Sequence, residues 1–252
     1  MRPWRAARIR SNRRAPFRGQ PPGWYPVIDV HRSTGHRASP PDRFAFQFLL
    51  LLLVALALAG CSPEPVEDEA SYAREIAAFR ASKDAAFRQP GSPVPPGAQD
   101  SVLPLVYFPP SLTYRVPAVL RVQPDETTME MPTSTGQRRL MQRVGTLEFS
   151  LKGESLTLGA FVEAGSSSFD RLFVPFTDLT SGTETYPAGR YLDLDRTKTG
   201  IYVIDFNRAY NPYCYYNSTY DCPYPPRENR LKVPIRAGEK MKEGLAPVVP
   251  VT

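Results

Sequence analysis

The sequence predicts a mainly β protein: a single antiparallel β-barrel or sandwich with one N-terminal amphipathic helix. Three observations carry that prediction. After Ser101 the chain breaks into short runs rich in Val, Leu and Phe, several of them alternating, with turn residues between. Ahead of these lies one stretch whose apolar residues recur at helical spacing. About eight strands within roughly 110 residues suit one sheet system rather than two domains.

The helix is expected over 70–88, ASYAREIAAFRASKDAAFR, where Tyr72, Ile76, Phe79 and Phe87 form one stripe and Ser71 or Ser82 could cap. QPGSPVPPGAQ then ends it and should lead away as an extended linker. Strands are expected at 114–122, 143–151, 154–162 and 171–178, with LKGES as a hairpin turn between the second and third. RYLDLDRTKTGIYVIDF reads as a further hairpin turning at TKTG, and a last strand is expected at Leu231–Arg236.

The chain opens differently. Residues 1–43 are rich in Arg and Pro without apolar periodicity, either a basic disordered arm or a product of start-site assignment, with translation beginning near Val27 or Val30. Residues 44–60, FAFQFLLLLLVALALAG, have the layout of a signal-peptide apolar core behind Arg43. The LAGC ending resembles the bacterial lipobox. By that resemblance Cys61 becomes a fatty-acylated (palmitate) first residue, 61–69 is a tether and 70–252 is one domain in the cell envelope, facing the periplasm. A plain membrane anchor is the alternative for so short a run. Ser62, rather than Asp, resembles outer-membrane sorting in Gram-negative bacteria.

Charge follows the same division. Residues 1–60 carry 10 of the 31 Lys and Arg and 2 of the 25 Asp and Glu, so the remainder has a formal net charge of −2. The basic balance of the whole chain therefore makes no case for nucleic acid as a partner. Both histidines, His31 and His36, also lie in the leader. Histidine triads, Cys-His pairs and His-ligated zinc are thereby excluded downstream, whereas carboxylate, Tyr or Lys chemistry survives. No cofactor or metal site is read from the remaining residues.

Three stretches break the alternation and gather polar side chains: MPTSTGQRR (131–139), FTDLTSGTETYPAGRY (176–191) and FNRAYNPYCYYNSTYDCPYPPRENRL (206–231). The last holds two cysteines, six tyrosines and four prolines. With no histidine to complete a metal site, Cys214 and Cys222 are expected to form an intraloop disulfide worth roughly 2.5 kcal/mol in the chain-entropy account. TSTG with its arginines lacks the spacing and Lys of a P-loop and reads as a turn. Asp193 and Asp195 share a strand face that could suggest calcium and more simply suits a wet face. NST at 217–219 fits a glycosylation acceptor, which has no bearing in a bacterial lipoprotein.

FVPFTDLTSGTETYPAGRYLDL, GIYVIDFNRAYNPYCYYN and CPYPPRENRLKVPIRAGEK resemble the bacterial and archaeal family catalogued as domain of unknown function 1684, with the likeness running from near Tyr72 to Lys240. That resemblance implies one domain and no particular reaction. From the residues themselves, Asp178, Glu184, Arg190, Asp205, Asn207, Arg208, Asn211 and Arg230 form the candidate group, with Tyr186, Tyr210 and Tyr213 lining a pocket. Asp205 shares a strand face with Ile201 and Val203, so if those point to the core it does as well and needs a partner there, for which Arg190, Arg208 and Arg230 are the candidates. The group could be a closed ion-pair network or could hold an acidic small ligand. The expected role is a non-enzymatic binding module for such a ligand or an envelope partner. A hydrolase using Asp178 or Asp205 beside Glu184 is the alternative and needs two carboxyls facing one open cleft. A purely structural lipoprotein is the third reading and needs an exposed apolar patch.

Overall fold

The computed structural model describes residues 68–123, 127–166 and 170–244, all within the compact unit Glu64–Thr252. The leader, the apolar run, Cys61 and the tether as far as residue 67 lie outside the described residues.

Helix α1 spans Glu69–Phe87. Its cap is Asp68, whose side chain accepts the Ser71 N–H at 2.7 Å, and not either serine. Tyr72, Ile76 and Phe87 are buried as the stripe requires, each burial contributing roughly 1.5–3 kcal/mol. Phe79 stays half-buried beneath the Arg208 guanidinium, 4.7 Å from its ring centre. The following segment does not lead away. It winds through a 3-10 turn at Pro96–Ala98 into the short helix α2, Gln99–Val102, and buries Val94, Val102 and Leu103 against aromatic residues of the later loops.

Seven strands follow: β1 Arg115–Val122, β2 Thr128–Pro132, β3 Arg138–Leu151, β4 Glu154–Glu163, β5 Arg171–Phe176, β6 Arg190–Asp195 and β7 Ile201–Asp205. They make one antiparallel sheet in the order β6-β5-β4-β3-β1-β7, with β2 paired to β3. The sheet curls into a nearly closed barrel around Val116, Leu147, Leu158, Leu172, Leu192 and Ile204. LKGES turns as expected, with Lys152 and Gly153 both at positive φ (52° and 85°), the backbone a two-residue hairpin needs. A register shift falls between Arg143 and Gly145, where an added Cβ would sit 2.3 Å from the Arg121 carbonyl oxygen.

Two expected elements are replaced. β6 and β7 are not a hairpin: β6 pairs with β5 and β7 with β1, so they stand at opposite ends of the strand order. Tyr210 closes part of the gap between them, exchanging both backbone hydrogen bonds with Tyr191 at 2.9 and 3.0 Å. The segment 231–236 is no strand either: it meets residues 177–179 through backbone bonds at Leu231 and Val233, and at Ile235 its backbone groups are bound by side chains. Ile235 N–H donates to Asp178, and the Ile235 carbonyl accepts from Arg190.

Candidate functional site

The candidate residues are not one network. Most of them divide among three clusters, Glu184, Tyr186, Asn211 and Arg230 lie apart from these, and the most polar candidates serve the fold.

The first cluster is fully buried. Arg190 has 0% exposure, and its Nη2 donates to Asp178 Oδ2 at 2.9 Å and to the Ile235 carbonyl at 2.8 Å. Its Nη1 donates to the carbonyls of Ala237 and Glu239. Asp178 Oδ1 accepts from Thr180 N–H (2.8 Å), Thr180 Oγ1 (2.6 Å) and Ile235 N–H (3.1 Å). The tail reaches this guanidinium because Gly238, at φ 78°, lies so close to the Phe206 and Ala209 carbonyls that a Cβ would meet them at 2.7 and 2.6 Å. Burial lowers the Arg190 pKa, opposed by the Asp178 charge. An ion pair so enclosed is a fold constraint, with no opening to a ligand.

The second cluster joins α1 to the barrel. Ile201 and Val203 are 59% and 50% exposed, so Asp205 lies on the outer face and not on the core face with them. It is nevertheless buried, because α1 covers it. Tyr72 Oη donates to Asp205 Oδ1 at 2.7 Å, Asn207 donates from both backbone and side chain, and Arg208 Nε donates at 3.3 Å. Arg208 also pairs with Glu75 of the helix. Asn207 Nδ2 donates to the Ser111 carbonyl at 2.9 Å and so pins the chain entering β1.

Glu184 meets Arg236 at 2.9 Å on the surface, and Arg230 is exposed, its backbone bridged to Thr177. Asn211 N–H donates to Glu239 Oε2 at 2.8 Å. Glu239, buried, also accepts from Tyr216 and Lys83. Nothing local in the sequence marks Glu239 as buried. Asp205 and Glu184 border separate depressions, and each has an arginine partner. The two-carboxylate hydrolase arrangement is therefore absent for that pair.

The third cluster lines an open cleft. A cleft of about 600 Å³ lies between β3 to β6 and the Tyr/Pro-rich loop, lined by Met141, Val162, Phe173, Tyr191, Tyr210, Tyr213, Tyr220 and Cys222, with Arg139, Arg171, Glu163 and Asp221 around them. Of the tyrosines singled out in the sequence, Tyr210 and Tyr213 line this cleft. Tyr186 does not: it is fully buried, its ring edge-on to Tyr215. Nor are the cleft's cations those anticipated. Arg139 Nη2 donates to the Asp221 carbonyl at 2.8 Å and to its carboxylate at 3.2 Å, and Arg171 meets Asp195 at 3.2 Å. The run QRR held the signal for Arg139, but only the β2–β3 hairpin brings it to residue 221. Asp193, on the wet face of β6, accepts from Tyr210 Oη at 2.8 Å. Among the described residues no group of three or more His, Cys, Asp or Glu could hold a metal ion.

The expected disulfide is corrected. Cys214 and Cys222 are both free, buried thiols, with Cys214 N–H donating to Cys222 Sγ at 3.2 Å. The loop is fastened instead by the TSTG turn. Ser134 N–H donates to the Cys222 carbonyl at 2.9 Å, Cys222 N–H to Ser134 Oγ at 3.0 Å, and Ser134 Oγ to the Tyr220 carbonyl at 2.9 Å. A hydrogen bond from Cys222 lowers the Cys214 pKa to about 7 against the opposing effect of burial, while the same bond and burial push Cys222 up.

The architecture and its cleft define a small mainly β protein built on a nearly closed antiparallel sheet, with an open cleft walled by an aromatic loop. The chain belongs to the family described as Protein of unknown function (DUF1684), whose model matches residues 103–240. It is similar to the solution NMR structure of an uncharacterised protein of Haloarcula marismortui, at 38% identity and a TM-score of 0.55 over 68% of this chain and 95% of that one. No curated protein matches it.

Two outcomes are expected. Arg190→Leu leaves Asp178 buried without its countercharge and should cost about 3–5 kcal/mol in urea unfolding, whereas Glu184→Gln, removing a surface pair, should cost less than about 1 kcal/mol. On pH titration, thiolate absorbance should rise by one thiol near pH 7 and leave the second protonated. In Cys222→Ala that step should move upward, because the stabilising donor is gone and burial remains.

Proposed function

We propose that this protein is a lipid-anchored binding module of the cell envelope that takes an acidic small ligand in the tyrosine-lined cleft. The single observation that carries this reading is the cleft itself. Its volume, about 600 Å³, falls in the range of small-molecule sites, and it combines apolar and aromatic walls with a few polar groups, the usual composition of such sites. Arg139 is the natural receiver for a carboxylate or phosphate, because its guanidinium borders the cleft already oriented by Asp221. The anchored state rests on the LAGC ending at Cys61.

A non-enzymatic role is favoured by the histidine-free chain after residue 60 and by the enclosure of Asp178 and Asp205. Both carboxylates already accept several hydrogen bonds, so neither is placed to take a substrate proton.

Two measurements test the reading. Native mass spectrometry of the full chain purified from its membrane fraction should show a small noncovalent mass that is lost on denaturation and reduced at least tenfold in occupancy by Arg139→Gln. A bare polypeptide in both would sink the ligand proposal. Separately, Cys61→Ser should move the protein from the membrane to the soluble fraction, and unchanged membrane retention would favour a plain anchor.

A further inference from the structure

Beyond an acidic group at Arg139, the cleft has walls that suit a second, opposite charge. We infer that its ligand is a small zwitterion whose cationic end is a methylated ammonium, seated among Tyr191, Tyr210, Tyr213 and Tyr220 while its acidic end meets Arg139. This inference rests on the cleft being a ligand site.

The rings are arranged in near-perpendicular pairs. Tyr191 and Tyr210 have centroids 5.8 Å apart at 87°, and Tyr213 and Tyr220 stand 5.3 Å apart at 77°. Phe173 meets Tyr191 at 4.7 Å and 78°. Perpendicular neighbours form corners, so these pairs present π-faces as well as edges, and all five rings line the same cavity. Faces of this kind attract cations through the ring quadrupole. Tyr210 shows the effect within the protein: the Lys83 ammonium lies 4.8 Å from its ring centre, with the Lys83 charge balanced by Glu239.

The hydroxyls sharpen the choice of cation. Tyr191 Oη donates to the Pro223 carbonyl and Tyr210 Oη donates to Asp193 Oδ2. Donation draws electron density toward each phenol oxygen and enriches the ring. Burial, the first cause for both, pushes their pKa values well above the ordinary phenol, so both remain neutral donors. A primary ammonium entering here would surrender hydrogen bonds to water and find few acceptors in return. A methylated ammonium has no N–H to satisfy and gives up far less. Its charge is then met by the ring faces, while Arg139, held by Asp221, receives the ligand's anion.

The test uses the full chain in dodecylmaltoside and two probes of nearly equal shape, phosphocholine and 3,3-dimethylbutyl phosphate, in which carbon replaces the cationic nitrogen. Isothermal titration should show phosphocholine binding about tenfold tighter or more, and Tyr213→Leu should erase that preference while leaving binding of the neutral analogue intact. Tyr213 is 42% exposed, so this variant should fold, which thermal unfolding verifies. Competition by phosphatidylcholine vesicles, and not by phosphatidylglycerol vesicles, would assign the zwitterion to a lipid headgroup; competition by free phosphocholine alone would assign it to a soluble molecule. Equal binding of the two probes would overturn the cation site and leave the acidic-ligand reading standing. Failure of both probes to bind, with an Arg139-dependent mass still found by native mass spectrometry, would also overturn only the cation site, whereas failure of both with no such mass would overturn both readings.

Discussion

The buried pair of Arg190 and Asp178 is the constraint on which the arrangement depends. A guanidinium removed from water needs partners for its donors, and here the four Nη hydrogens go to one carboxylate and to three carbonyls from residues 235–239, with Nε–H alone left without one. The first residue of β6, the turn after β5 and the C-terminal segment are thereby held at one point. The hydrogen bonds from Thr180 and Ile235 to Asp178 complete the lock. A tail that meets the backbone of residues 177–179 at Leu231 and Val233 is bound by side chains from Ile235 on, and its following residues, Gly238 to Lys240, are carried to Asn211 and Tyr216. Those contacts fix the start of the aromatic loop. The position of the cleft wall therefore descends from a charge pair that never meets solvent.

Around that lock the molecule has two apolar layers with different chemistry. Inside the barrel the residues are mainly aliphatic with Phe. Outside β5 and β6, the end of α1, the α2 segment and the Tyr-rich loop form a layer of Phe, Tyr and Cys. Tyrosine serves this second layer because each ring offers a large apolar face while its hydroxyl reaches an acceptor at the margin. The bonds from Tyr191 to Pro223, from Tyr210 to Asp193 and from Tyr216 to Glu239 all follow that pattern. The cleft lies along the open margin of this layer.

Much of this was legible in the chain. The helical stripe of Tyr72 and Ile76, the alternation of β1, β3 and β4, the LKGES turn and the wet face bearing Asp193 and Asp195 are all local patterns, and local backbone and side-chain preferences suffice for them. The candidate residues were legible as a set, since polar residues interrupting strand patterns mark loops and closures. Their partners were not. Asp205 shares a strand face with exposed residues and is buried only because α1 crosses it, a contact between positions 72 and 205. Arg139 reaches Asp221 across a separation of 82 residues, and the bonds from Ser134 to Tyr220 and Cys222 are as remote. No sequence window contains both ends of such a contact.

By itself the sequence determined the class of fold, the approximate places of most strands, the chemical poverty of a histidine-free chain after residue 60, and the density of tyrosine and proline between 206 and 231. These follow from periodicity and composition, which act over a few residues at a time. The tertiary structure decided that β6 and β7 stand at opposite ends of the sheet order, that Cys214 and Cys222 lie side by side as thiols, that Arg190 is consumed by the fold, and that Arg139 and four tyrosines border one cleft. Each of those outcomes requires closing a long stretch of chain, and which closure prevails depends on the whole set of buried charges and hydrogen bonds that must be satisfied together.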